Sequence, residues 1–197
     1  MRNAPPVWAE ALLRIFLRPE VFSSFSGDLL EQYRDSVLPA RGLKAADRWY
    51  LAQVAGLILR KSLPWSALFA AAYVVRMALD WLVPTAHFET RALISTAIAA
   101  AILLASGFFT SWKSGSFLAG AAAGLATTAI ATLLSVAGTS LLLAIWHDPR
   151  TMAAIAGSGG LSEALFLPAW LVIPGVVIAG LGGILGAGAK RLHVARD

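Results

Sequence analysis

Arg76 and Asp80 stand four residues apart in an apolar stretch, so a helix would set both on one face with opposite charges in reach. An unpaired charge is expensive inside a bilayer. The spacing therefore predicts an intramembrane ion pair, either a structural one or part of a proton relay or transport step. The structural reading has its own support, because Asp80 is one turn from Pro84 and Arg76 can snorkel toward an interface. His87, Glu89, His147 and Asp148 form a second set, at the edges of the apolar stretches. Imidazoles and carboxylates suit zinc-like ions, but none of these shows metal-ligand spacing on a single helix. Asp148-Pro149 reads equally well as a helix cap followed by proline, so no metal is expected.

Other catalytic chemistry lacks its parts. Ser and Thr are plentiful, yet no His lies within an apolar stretch to activate them. Cysteine is absent, which removes thiolate nucleophiles, thiolate metal sites and disulfides. The phosphate-cradling pattern G-x-x-x-x-G-K-[ST] is also missing. The sequence thus predicts no enzyme, no catalytic residue and no cofactor.

The elements that must position these residues follow from composition. The chain is 58% hydrophobic and only 14% charged, with a mean hydropathy of +0.71. Soluble domains carry roughly 25% charged residues, so the charges here cannot cover a water-exposed surface. Long apolar runs mark spans at about 64–83, 90–110, 116–146 and 162–189. Pro64 suits the first turn of the first span and Pro84 closes it. The third run exceeds what a hydrocarbon core of ~30 Å needs, so it should tilt or project into a headgroup region. The expected fold is all-α: an integral membrane four-helix bundle over 63–197, preceded by a cytoplasmic or interfacial helical cap over 1–62.

Positive charge orients the bundle. Nine Lys and Arg precede the first span, Lys113 lies in the second connection, and Lys190, Arg191 and Arg196 follow the last span. The opposite side carries Arg91 and Arg150. Both termini are therefore expected on the cytoplasmic side. Trp65 and Trp112 fall at inner ends and Trp81 and Trp146 at outer ends, as amphipathic rings should. The pI of about 10.1 is then a topology signal, and lipids rather than nucleic acid are the expected partners.

Residues 1–62 read as short amphipathic helices. Trp8, Leu12, Ile15 and Phe16 share one face before Pro19. Phe22, Phe25, Leu29 and Tyr33 share the next, with Gly27 as an interruption and Asp28 with Glu31 as a capping box that restarts the helix. Pro39 and Gly42 mark a turn. Over 43–61, Leu43, Ala46, Tyr50, Val54, Leu57 and Ile58 oppose Lys44, Asp47 and Arg48. That face can lie on lipid headgroups or pack on the first two helices as a small domain. A cap set against the inner leaflet combines the two.

The order Gly27-Asp28-Leu29-Leu30-Glu31-Gln32-Tyr33-Arg34, then Gly42, then Arg48-Trp49-Tyr50-Leu51-Ala52-Gln53-Val54 resembles a known segment. It is similar to the prefix ahead of bacterial ABC-transporter permeases of the macrolide-exporter type, over about residues 20–60. The large extracytoplasmic domain and further spans of such permeases have no counterpart here. The resemblance implies a stand-alone relative or accessory of such systems. It makes Asp28, Glu31, Tyr33, Arg34, Trp49, Tyr50 and Gln53 candidate contacts for a membrane protein partner.

The last two spans are rich in small residues. Gly120 and Gly124 form one G-x-x-x-G pair and Gly182 and Gly186 another, while Gly175, Ala179, Gly183 and Ala187 continue a stripe at intervals of four. Small residues let helix backbones approach closely, either between the third and fourth helices or across a homo-oligomer interface. Pro168 and Pro174 each remove a backbone bond and interrupt the fourth span, as in transporter sites. No charged residue is expected near them, so packing is the expected role. Together these features predict a membrane interaction or accessory protein, with a small oligomeric transporter or channel as the alternative.

Overall fold

The structure is a computed structural model that describes residues 4–194, and every regular element among them is helical, with no strand. Four stretches among them are long and apolar enough to cross a membrane: Leu43–Leu82, Phe88–Ser114, Phe117–Ile145 and Gly160–His193. The chain is an all-α multi-pass membrane protein with shorter helices ahead of its bundle. Arg196, counted in the tail above, lies outside the described residues.

The cap starts with α1 (Val7–Phe16) and α2 (Pro19–Gln32). Pro19 occupies the first turn of α2, where a missing N–H costs nothing. The expected break at Gly27 does not occur, and Asp28 with Glu31 restarts nothing, because α2 runs straight through. One helical glycine costs only about 1 kcal/mol, and the burial of Ser26, Leu29 and Tyr33 along one face outweighs it. The irregularity falls later, in a π-helical turn at Tyr33–Val37 that leads into α3 (Leu38–Arg41). Gly42 then closes the turn with φ 73°, a conformation that needs glycine.

The expected boundary between a helix over 43–61 and a span from residue 64 also disappears. Helix α4 is continuous from Leu43 to Leu82, with Pro64 in its interior. Its 40 residues reach about 60 Å at 1.5 Å each. Continuity follows from one buried stripe. Ala46, Tyr50 and Val54 face the cap, and Ser62, Ser66, Phe69, Tyr73, Met77 and Asp80 carry the same face into the bundle. A kink at Pro64 would swing one half of that stripe out of contact.

The cap core is Ala9, Leu13, Leu17, Leu29, Tyr33, Ala46, Tyr50 and Val54. Ala46, Tyr50 and Val54 of the 43–58 face are therefore covered within the cap, while Leu43 stays exposed. Helices α5 (Phe88–Ser114) and α6 (Phe117–Ile145) match the second and third expected spans. The fourth does not form one helix. After α7 (Pro149–Gly157) come α8 (Gly160–Trp170) and α9 (Val172–Val194), broken at Leu171 between Pro168 and Pro174. In the bundle α9 packs against both α5 and α6, and α4 packs on their other side.

Side-chain hydroxyls repair the break. Pro168 cannot donate to the Ala164 carbonyl, and the Tyr73 hydroxyl donates to it instead at 2.8 Å. The Thr132 hydroxyl donates to the Pro168 carbonyl at 3.0 Å. Deeper in, Ser66 donates to the Thr127 carbonyl at 3.0 Å, and the Ser106 and Thr127 hydroxyls meet at 3.2 Å. Away from water, such bonds prevent the full desolvation cost of each polar group.

Candidate functional site

The predicted pair at the end of α4 is present and has a third member. Arg76 Nε lies 3.3 Å from Asp80 Oδ2, while Arg91 Nη1 lies 3.1 Å from Asp80 Oδ1. Asp80 is buried, so its carboxylate is shared between two guanidinium groups. Arg91 also donates to the Leu79 carbonyl at 2.7 Å and to the Val83 carbonyl at 3.1 Å. It thereby adds a second donor to the Leu79 carbonyl, which already accepts from Val83 N at 3.0 Å, and caps the Val83 carbonyl just past the end of α4. Arg91 had been read only as an orienting charge. The signal for its role was the short turn Val83–His87, which folds the first turn of α5 back against the last turn of α4.

Arg76 is oriented differently. Its Cζ lies 5.8 Å from the centre of the Phe88 ring, and Nε is the nitrogen that meets Asp80. Its side chain lines a partly open cavity of about 340 Å³ bordered by α4, α5, α8 and α9. Tyr73, Ser95, Thr96 and Glu163 contribute the cavity's other polar groups, while Phe69, Leu103, Leu171 and Ile178 are among its apolar walls. Pro174 and Gly175, at the helix break, complete it. This corrects the expectation that no charged residue accompanies the broken span. Arg76 comes from a helix distant in sequence, and Glu163 sits five residues before Pro168, one turn and a half along α8.

The remaining outer-side residues do not converge. Asp148 caps α7, accepting from Arg150 N at 3.0 Å, Thr151 N at 3.2 Å and the Thr151 hydroxyl at 2.6 Å. Those bonds hold its carboxyl below the usual carboxylate range, the hydroxyl bond most of all. No group of three or more His, Asp or Glu stands in metal-binding range among the described residues.

The small-residue stripes are used within the chain. A Cβ on Gly120 would strike Gly183, and one on Gly124 would strike Ala179 and Gly175, which is the expected α6–α9 seam. Gly182 and Gly186 lie instead on α5, against the Leu104 and Phe108 carbonyls, and Gly107 of α5 returns the contact against Ala179. Helix α9 thus has glycine contacts on two sides. These glycines are engaged inside one chain.

At the cap, the proposed contact residues divide. Tyr33 and Tyr50 are fully buried, 6.0 Å apart in an edge-to-face pair, and present no surface to a partner. The Tyr33 hydroxyl donates to Asp47 at 2.7 Å. Burial raises the Tyr50 phenol above its ordinary value, with the Glu10 carboxylate adding to the rise and the Ser26 hydroxyl opposing it. Trp49 is half-buried against the same core. Asp28, Glu31, Arg34 and Gln53 are exposed, and Asp28 and Glu31 share a shallow depression with Gln32, Asp35 and Ser36.

Where the cap meets the bundle, cations take carbonyls at helix ends. Lys61 Nζ donates to the Phe16 carbonyl at 2.7 Å, and Arg18 Nε to the Lys113 carbonyl at 2.9 Å. Lys190 Nζ lies 3.4 Å from that same oxygen. Burial lowers the Lys61 ammonium, and the nearby charges of Lys113 and Arg18 lower it further. The cap is thereby fixed to α5 as well as to α4. No family model, curated protein or solved structure matches this chain.

Proposed function

We propose that this chain is a membrane accessory protein whose cap recognises the cytoplasmic part of a membrane protein partner, a permease of the ABC type being the first candidate. The observation that carries this reading is the cap's attachment. Its core is built on the same continuous helix that enters the bundle, and Lys61 and Arg18 tie its base to that helix and to the end of α5. A surface held this rigidly loses little freedom when a partner docks. The face offered is that of α2 and the π-helical turn, where Asp28, Glu31, Gln32 and Asp35 stand exposed together. The residue order shared with permease prefixes runs through the same face. Basic residues around the cap base support a position on the cytoplasmic side of a bacterial inner membrane by the positive-inside rule.

The test is a mild-detergent pull-down with mass spectrometry, comparing the wild-type chain with the triple variant Asp28→Lys, Glu31→Lys, Asp35→Lys. The cap core is untouched by these changes. Loss of a permease from the variant's eluate is the expected result, and an unchanged set of partners would overturn the assignment of this face.

A second reading, a small oligomeric transporter or channel, is favoured by one observation: the proline-broken fourth span beside a cavity that holds Arg76 and Glu163. Solute flux in proteoliposomes of the purified chain would establish it in place of the accessory role.

A further inference from the structure

The cavity between α4, α5, α8 and α9 is graded from polar to apolar along the bundle axis. Arg76 lies six residues from the end of α4, about 9 Å at 1.5 Å per residue, which is headgroup depth when α4 spans a bilayer. Along α5 the lining runs from Ser95 and Thr96 down to Leu103, about 12 Å farther in. Arg76, Glu163, Ser95 and Thr96 therefore sit at the outer end, and Leu103, Leu171 and Ile178 close the inner one. A slot of this kind matches an amphiphile better than a wholly polar or wholly apolar guest.

The charges narrow the class. The cluster of Arg76, Asp80 and Arg91 holds two guanidinium groups against one carboxylate, which leaves one positive charge without an anion. Arg91 directs its nitrogens to Asp80 and to two backbone carbonyls. Arg76 gives Asp80 only its Nε, and its terminal nitrogens donate to no acceptor among the described residues. A guanidinium has five N–H donors, so most of those on Arg76 are available to the cavity. Glu163 is on the same rim but forms no ion pair with Arg76, and its carboxylate is folded back against Gly159. The rim thus offers a positive and a negative group held apart.

We propose that this cavity is a lipid site that takes one acyl chain of a zwitterionic phospholipid, its phosphate on the terminal nitrogens of Arg76 and its ammonium toward Glu163. A phosphodiester accepts in the fork geometry that guanidinium favours. A purely anionic headgroup would satisfy Arg76 but bring like charge toward Glu163, so the ammonium supplies the preference. The site is independent of the partner reading, since it lies at the end of the bundle remote from the cap.

The experiment reconstitutes the full chain in nanodiscs of equal phosphatidylethanolamine and phosphatidylglycerol, then re-extracts it for native mass spectrometry. Wild type is expected to retain one phosphatidylethanolamine per chain. Arg76→Gln should reduce retention about tenfold or more, as loss of charged hydrogen bonds implies. Asp80 keeps Arg91 in that variant, so the fold has its ion pair. Ala99→Phe, which fills the slot and leaves the charges alone, should abolish retention, and Glu163→Gln should equalise the two lipids. Retention by Arg76→Gln and Ala99→Phe equal to wild type, or no lipid retained by wild type, would overturn the proposal. A phosphatidylethanolamine with a photoactivatable acyl chain provides a readout on unmutated protein. Crosslinks at Ala99, Leu103 or Ile178 support the site, and crosslinks confined to outward residues such as Leu133 and Ile184 refute it.

Discussion

The Tyr73 hydroxyl donates to the Ala164 carbonyl at 2.8 Å, the acceptor that Pro168 would have used had it carried an N–H. One side chain of the first span thereby completes the backbone of the fourth. Tyr73→Phe removes the donor and leaves the carbonyl buried, so the bundle should lose about 1 kcal/mol, the usual scale for such bonds in membrane proteins. Pro168→Ala restores a backbone donor for Ala164, and in that background Tyr73→Phe should be close to neutral. Reversible unfolding in mixed detergent, run as a double-mutant cycle, measures this coupling. Additive effects would mean that the tyrosine stabilises the bundle by packing alone.

The ion cluster is expected to be unequal in its members. Arg91→Ala takes a partner from the buried Asp80 and also uncovers the Leu79 and Val83 carbonyls. Arg76→Gln removes the Nε contact and the guanidinium over the Phe88 ring, and leaves Asp80 paired to Arg91. Arg91→Ala should therefore cost about 3 kcal/mol, the lower end for breaking a buried pair, and Arg76→Gln distinctly less. The same unfolding assay ranks them. The reverse order would place the structural charge on Arg76.

Glycine substitutions should separate by what lies beside each position. An alanine Cβ at Gly107, Gly182 or Gly186 would enter the backbone of the facing helix, and helices must move apart to admit it. Overpacking of this kind costs about 1–3 kcal/mol. Gly56→Ala and Gly188→Ala meet open space within a helix, so each should be neutral or stabilising by up to about 1 kcal/mol. Thermal aggregation of the five single variants, followed by size-exclusion chromatography, distinguishes the two groups.

The features legible in the sequence were those set by hydrophobic run length and local spacing. Four spans, the Arg76–Asp80 pair and the α6–α9 glycine seam all follow from residues within a few turns of one another. What was not legible depended on residues distant in sequence. Pro64 reads as a helix start from its neighbours, and only the shared buried stripe from Ala46 to Asp80 shows why α4 continues through it. Arg91 and Glu163 look like ordinary edge charges until the turn at 83–87 and the break at Leu171 bring them to Asp80 and the cavity. Tyr33 and Tyr50 read as recognition residues because they lie in the residue order that resembles permease prefixes. Packing of α1 and α2 on α4 makes them core.

The cap should carry an alkaline limit that traces to Tyr50. Burial raises its phenol above the ordinary value of 10.0, and the Glu10 carboxylate pushes the same way. The folded cap therefore holds the phenolic proton more tightly than the unfolded segment does. By linkage, stability is unaffected by this group below about pH 10 and falls as pH rises from the unfolded value through the raised one. Limited proteolysis within residues 1–62, read from about pH 8 to about pH 11, should show protection that is flat and then declines. Tyr50→Phe removes the titrating group while keeping the ring against Tyr33, so its protection should decline less steeply over the same interval. Lys61 opposes this trend. Its lowered ammonium makes the folded state easier to keep as pH rises toward 10.5, and Lys61→Met should make the alkaline decline of the wild-type cap steeper. A decline of equal slope in wild type and Tyr50→Phe would assign the alkaline limit to some other group.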